Sequence, residues 1–165
     1  PPQLFAIPGG ELPLSGKALL GLMQAVLGRG VPFRFRARGW SMAPFIRDGD
    51  VITVTPLLNR PPGVGEVVAF IQPQSGKLVV HRVVARREAG VLILGDNDAS
   101  CADGNVPLEN LLGRVMRIER NRKPVWLGLG PERTLIAWLS RLRWLIPLQG
   151  WLAAWRKRCL KVWSR

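Results

Sequence analysis

The chain has 165 residues, enough for one domain with a real core and too few for two large ones. With 47% apolar residues it is not a disordered polyelectrolyte, and one His with two separated Cys builds neither an ordinary zinc site nor a disulfide framework. A net charge of +13 points to a polyanionic partner, either nucleic acid or an anionic lipid surface.

In chain order, residues 1–14 read as an extended, Pro-rich lead-in. Ser15–Leu27 reads as a short helix: Ser15 can cap it, Leu19, Leu20, Met23, Val26 and Leu27 form one face, and Gly28 and Gly30 end it. The apolar run Ala18–Leu27 is about half of what a bilayer-spanning helix needs, and it lacks the layout of a cleavable secretory signal. Val31–Gly39 alternates, with Phe33 and Phe35 on one face and Arg34, Arg36 and Arg38 on the other, which predicts a half-buried strand. Further strands are expected at Val51–Val54, Val67–Ile71, Lys77–Arg87, Val91–Leu94 and Leu112–Ile118, separated by turn residues such as Asp48-Gly49-Asp50 and Pro61-Pro62-Gly63. The fold class is therefore mainly β, a curled, barrel-like antiparallel sheet with a short N-terminal helix.

After Pro131 the period changes. Leu135, Trp138, Leu139, Leu142 and Ile146 form one helical face, and after Pro147 and Gly150 a second stripe follows with Trp151, Leu152, Trp155, Cys159 and Trp163. Residues 131–165 hold eight Lys/Arg against one Glu, and five of the seven Trp. Trp and Arg/Lys together on amphipathic helices suit a bilayer interface better than base stacking, so an anionic membrane surface is expected as the tail's partner and nucleic acid is disfavoured. The organisation expected is 1–30 for the lead-in and helix, 31–130 for a β catalytic domain, and 131–165 for an amphipathic basic tail.

Ser41 lies in Gly39-Trp40-Ser41-Met42-Ala43-Pro44, where Gly39 and Pro44 enforce a tight bend at a strand end. Such a bend can present a hydroxyl to a substrate and turn backbone N–H groups toward an oxyanion. His81 is the lone imidazole, the side-chain type whose ordinary titration suits general-base work, and a Ser hydroxyl needs such a base to become nucleophilic. The base needs an acceptor on its other nitrogen, and Asp96, Asp98 and Asp103 are three candidates. Their spacing fits no EF-hand, and neither metal nor cofactor is implied.

These segments resemble the sequence boxes of signal peptidases and their relatives. Residues 39–44 followed by Arg47-Asp48-Gly49-Asp50-Val51 look like the nucleophile box, Gly65-Glu66-Val67-Val68-Ala69-Phe70 like the next, His81-Arg82-Val83-Val84 like the base box, and Gly95-Asp96-Asn97-Asp98 like the acidic one. They come in the family's order over roughly residues 36–115. The bacterial leader peptidases and LexA-like repressors carry Lys where this chain has His81. Lys77 is four residues upstream, roughly 13 Å along a strand, too far to substitute. His81 instead resembles the endoplasmic-reticulum, archaeal and sporulation-type enzymes, which add an aspartate. That resemblance implies Ser41 as nucleophile and His81 as base; the family's acid position falls on Ala102, so the orienting acid is Asp103, one residue further, with Asp96 structural or supporting, or else Asp96 itself. Gly39, Trp40, Met42 and Pro44 would form the oxyanion and substrate-binding segment, although Gly39 stands where leader peptidases carry a hydroxyl.

The activity implied is serine endopeptidase cleavage of a signal or leader peptide after small residues, the peptide lying as an added strand near Phe33–Gly39. The expected location is a bacterial or archaeal plasma membrane, reached peripherally or monotopically, on either side, with room for accessory membrane subunits. Two rivals stay open: a cytosolic relative that processes leader peptides or a regulator, and a non-catalytic membrane-binding module that kept the fold.

Overall fold

The computed structural model of the protein describes residues 16–58, 60–97 and 102–141. Helix α1 (Gly16–Leu27) is followed by strands β1 (Phe33–Arg36), β2 (Val51–Pro56), β3 (Val67–Ile71), β4 (Leu78–Arg87), β5 (Gly90–Leu94), β6 (Ala102–Val106), β7 (Leu111–Arg120) and β8 (Lys123–Val125), then helix α2 (Arg133–Arg141). The strands form an eight-stranded antiparallel sheet in the order β1-β2-β7-β3-β4-β5-β6, with β8 paired to β7. The sheet stays open, with β1 and β6 at its edges.

The mainly β architecture read from the alternation is the one observed. In β1, Phe33 is buried and Phe35 half-buried, while Arg34 and Arg36 face solvent. The strand is shorter than the alternation suggested because Ala37 exchanges backbone bonds with Gly49 and Asp50, after which Gly39 turns the chain at φ +94°. β3 is apolar throughout because β7 and β4 flank it and both of its faces are covered: Val67 and Ala69 enter one core with α1, β1 and β2, and Val68 and Phe70 enter another with β4, β5 and β6. Helix α1 docks through Met23 and Leu27, and the amides of Gly28 and Gly30 bond back to Gln24 and Leu27 to close its end.

Two strands had no counterpart in the sequence reading. β6 carries Asp103 on a stretch where no strand was expected, and β8 follows a tight turn in which Asn121 and Arg122 take positive φ, as a two-residue hairpin turn requires.

Helix α2 divides the apolar face read from the sequence. Ile136, Ala137 and Ser140 are buried and Leu139 packs beside Phe45 and Ile136, whereas Leu135 and Trp138 are exposed. The apolar stripe read from the sequence is thus split, because the sheet accepts the side of the helix carrying small residues and a hydroxyl. The remainder of the basic tail, with the second Trp stripe, lies outside the described residues. Among the described residues no helix is long and apolar enough to cross a membrane.

Candidate active site

The nucleophile segment is built by short-range polar bonds from the turn that follows it. Asp48 Oδ1 accepts from the Gly39 N–H at 2.9 Å, which pins the bend where the chain leaves β1. Asp50 is buried; it accepts from the Arg47 N–H and receives the Arg120 guanidinium as a fork, Nε at 2.9 Å and Nη2 at 2.7 Å. Arg120 also donates to the Phe45 carbonyl, so β7 anchors the chain at two points after Ser41. Within it, the Ala43 N–H bonds the Trp40 carbonyl, and the Phe45 and Ile46 N–H groups bond that of Met42.

Of the residues placed in the substrate-binding segment, Met42 is buried in the α1-side core and Trp40 is exposed. Pro44 follows a cis peptide bond and accepts from Arg47 Nε. The Gly39 N–H is committed to Asp48, whereas among the described residues no acceptor takes the Ser41 N–H. That leaves the Ser41 N–H uncommitted beside its own hydroxyl, where it can serve as an oxyanion donor.

His81 sits in the middle of β4, opposite Val68 of β3, nearly buried and 6.2 Å from the Phe70 ring centroid. Its Nε2 lies 2.8 Å from Ser41 Oγ, although the two residues are 40 positions apart. With Nε2 unprotonated the hydroxyl donates to it, the arrangement that general-base activation of a serine needs. Of the three acids considered for the third role, Asp98 and the Asp103 side chain lie outside the described residues.

Asp96 is engaged elsewhere. Its carboxylate receives Arg82 Nε at 2.9 and 3.2 Å, Arg82 Nη2 at 2.7 Å and the Ser140 hydroxyl at 3.0 Å. Arg82 follows His81 on β4 and points to the opposite face. Its side chain and that of Asp96 are both 0% exposed. Arg82 Nη1 donates to the Gly65 and Gly128 carbonyls at 2.8 Å each, and the guanidinium lies 5.5 Å from the Phe45 ring centroid. One buried ion pair therefore ties together β4, the β5 end, α2 and the loops before β3 and after β8.

This hub reaches the nucleophile through the next residue. The Asn97 N–H donates to the Ser41 carbonyl at 2.7 Å, and Asn97 Nδ2 donates to the Trp40 carbonyl at 3.2 Å. Asp96 thus fixes where Asn97 stands, and Asn97 clamps the Ser41 backbone against β4. Reading the sequence missed Arg82, Asn97 and Ser140 as individuals. The available signal was Arg82 itself, a charge in the middle of a Val-rich strand, which implies a buried partner.

The Peptidase S24-like family matches residues 22–116 of the chain. The match takes in the nucleophile segment, β4 and the Arg82–Asp96 pair, but not Gly128 or Ser140. No curated protein sequence matches the chain.

Proposed function

The chain belongs to the Peptidase S24-like family of serine peptidase-like hydrolases, and we propose that it cuts signal or leader peptides after small residues, at or near a membrane. The observation that carries this reading is the 2.8 Å contact between Ser41 Oγ and His81 Nε2.

In the proposed reaction Ser41 Oγ attacks the scissile carbonyl carbon as its proton passes to His81 Nε2. The developing oxyanion is met by the Ser41 N–H. The intermediate collapses with cleavage of the C–N bond, His81 returns the proton to the leaving amine, and the acyl group stays on Ser41. Water, deprotonated by His81, then attacks the ester and releases the acid. Asp103 is the acid we assign to orienting the imidazole, while Asp96 supports the site through Arg82 and Asn97. The free edge of β1, running into Gly39-Trp40, is where an extended substrate would add as a strand. The basic, Trp-rich tail is the proposed membrane attachment, and accessory membrane subunits would join there. Processing of a regulator or leader peptide in the cytosol is the second reading, favoured by a family match that is S24-like.

The test is cleavage of a peptide with small residues at the first and third positions before the cut, read by mass spectrometry. Ser41→Ala and His81→Ala should each abolish cleavage, and the double variant should be no worse, because the pair acts as a unit. Cleavage by Ser41→Ala within about tenfold of the native rate would eliminate Ser41 as nucleophile, whereas no cleavage by the native chain would leave the non-catalytic module.

A further inference from the structure

Away from Ser41, the face formed by β7, β8 and the loop into α2 is unusually apolar for an exposed surface. A groove of about 880 Å³ runs there, lined mainly by Met116, Ile118, Val125, Trp126, Leu127 and Leu129, a volume within the range of small-molecule sites. Trp126 is 80% exposed and Leu127 61%. Pro131 also lines the groove, and the exposed Leu135 and Trp138 follow it on one face of α2. Exposed Trp beside contiguous aliphatic side chains is the composition of a surface that enters a bilayer interface.

Beside the groove, sharing Met116 and Leu129 with it, is a crevice of about 60 Å³ at Glu66. One oxygen of that carboxylate faces three guanidinium groups: Arg114 at 3.3 Å, Arg60 at 3.4 Å and Arg133 at 3.8 Å. None reaches the 2.7–2.9 Å of a full charge-assisted bond, and three positive charges share one negative charge. Arg60 and Arg133 are also substantially exposed, so they can take a further anion. Of the neighbouring acids, Glu132 stays charged but directs its carboxylate to the Gly128 and Gly130 amides, and Glu119 is paired with Arg34 and Arg117. Arg122 and Lys123 add two more exposed cations at the β7–β8 turn.

We propose that this face binds an anionic phospholipid of a bilayer leaflet, with the headgroup phosphate on Arg60 and Arg133 and an acyl chain in the groove. The inference deepens the membrane part of the proposed function, since it adds a second contact, within the folded domain, to the basic tail. An apolar slot and an excess of guanidinium side by side match the two halves of such a lipid. The same geometry would set the sheet on the membrane through its β7–β8 side.

The experiment uses the full chain and vesicles of phosphatidylcholine alone or mixed in equal parts with phosphatidylglycerol. Trp126→Ala with Leu127→Ala should weaken binding to both vesicle types by about tenfold, because the removed side chains bury in the acyl boundary. Arg60→Gln with Arg133→Gln should weaken binding by about tenfold on the anionic vesicles alone. Lipid with brominated acyl chains should quench native fluorescence more than that of Trp126→Phe. Native-like binding by both double variants would overturn the inference and leave the tail as the attachment. Equal quenching of the native protein and Trp126→Phe would also overturn it, as expected if residues 142–165 fill the groove. A native chain that ignores anionic vesicles would sink this inference and the membrane reading together, and peptide cleavage, measured in the same samples, would show whether the peptidase reading survives.

Discussion

Asp96→Asn removes one charge and almost no volume, so it isolates what the buried ion pair contributes. Arg82 would remain 0% exposed with its cation uncompensated, since the carboxylate it contacts through Nε and Nη2 becomes an amide. One amide oxygen can still accept, but the amide nitrogen presents hydrogens toward a donor. Breaking a buried pair by neutralising one partner costs about 3–5 kcal/mol. At about 4 °C per kcal/mol for a domain of this size, the melting temperature should fall by about 12–20 °C. Urea denaturation followed by far-UV circular dichroism gives the free energy directly. The cycle with Arg82→Met should be strongly non-additive, the double variant recovering about 2 kcal/mol over the sum of the singles. The recovery stays incomplete because the Gly65 and Gly128 carbonyls lose their donor. At a temperature where Asp96→Asn is still folded, peptide cleavage should fall mainly in kcat, because Asn97 no longer holds the Ser41 carbonyl in place. A loss of stability below about 1 kcal/mol, or additive singles, would refute the claim that this pair organises the site.

Glu132 gives a pH prediction. The Gly128 amide above all, then its own amide and that of Gly130, and the charge of Arg82, hold its carboxyl below the ordinary value. A lowered folded-state value means a stabilising contribution that is complete above the ordinary carboxylate range and is lost as pH falls through the folded value. Glu132→Gln should therefore flatten the acid limb of a stability–pH curve, and an unchanged limb would discount the contact. Gly65→Ala should cost about 2–4 kcal/mol in urea denaturation, since Gly65 has φ +90° and an added Cβ would lie 2.8 Å from the Arg133 carbonyl carbon and oxygen. Removing residues 142–165 should weaken vesicle binding and leave the melting temperature near native. Removing residues 132–165 should also destabilise the domain by about 3 kcal/mol or more, because Ile136, Ala137 and the Ser140 bond to Asp96 go with it.

Much of the sheet could be read from the chain because its determinants are local. Alternation in Phe33–Arg36 and the apolar run Val67–Ile71 report which faces are covered, and the Gly and Asp around residues 48–50 mark a turn through their own backbone chemistry. Ser41 and His81 were recognisable for a similar reason: each belongs to a short box whose residues bend or pair the backbone around it. β6 was not recognisable, because Ala102-Asp103-Gly104-Asn105-Val106 has no alternation and Val106 as its one β-former, and its hydrogen bonds come from the β5 edge.

Which residues Arg82 and Asp96 satisfy was likewise beyond the sequence. A buried charge must have partners, so Arg82 announces that a partner exists, but five elements had to assemble before its donors met Asp96, Gly65 and Gly128. The inward face of α2 followed from the same event. Hydrophobic periodicity grouped Leu135, Trp138 and Leu139 on one face, yet the helix turned Ala137 and Ser140 inward, because close approach needs small side chains and Asp96 takes a bond from the Ser140 hydroxyl. Periodicity records which residues prefer to leave water; which of them do so depends on the shape and unsatisfied polar groups of the surface they meet.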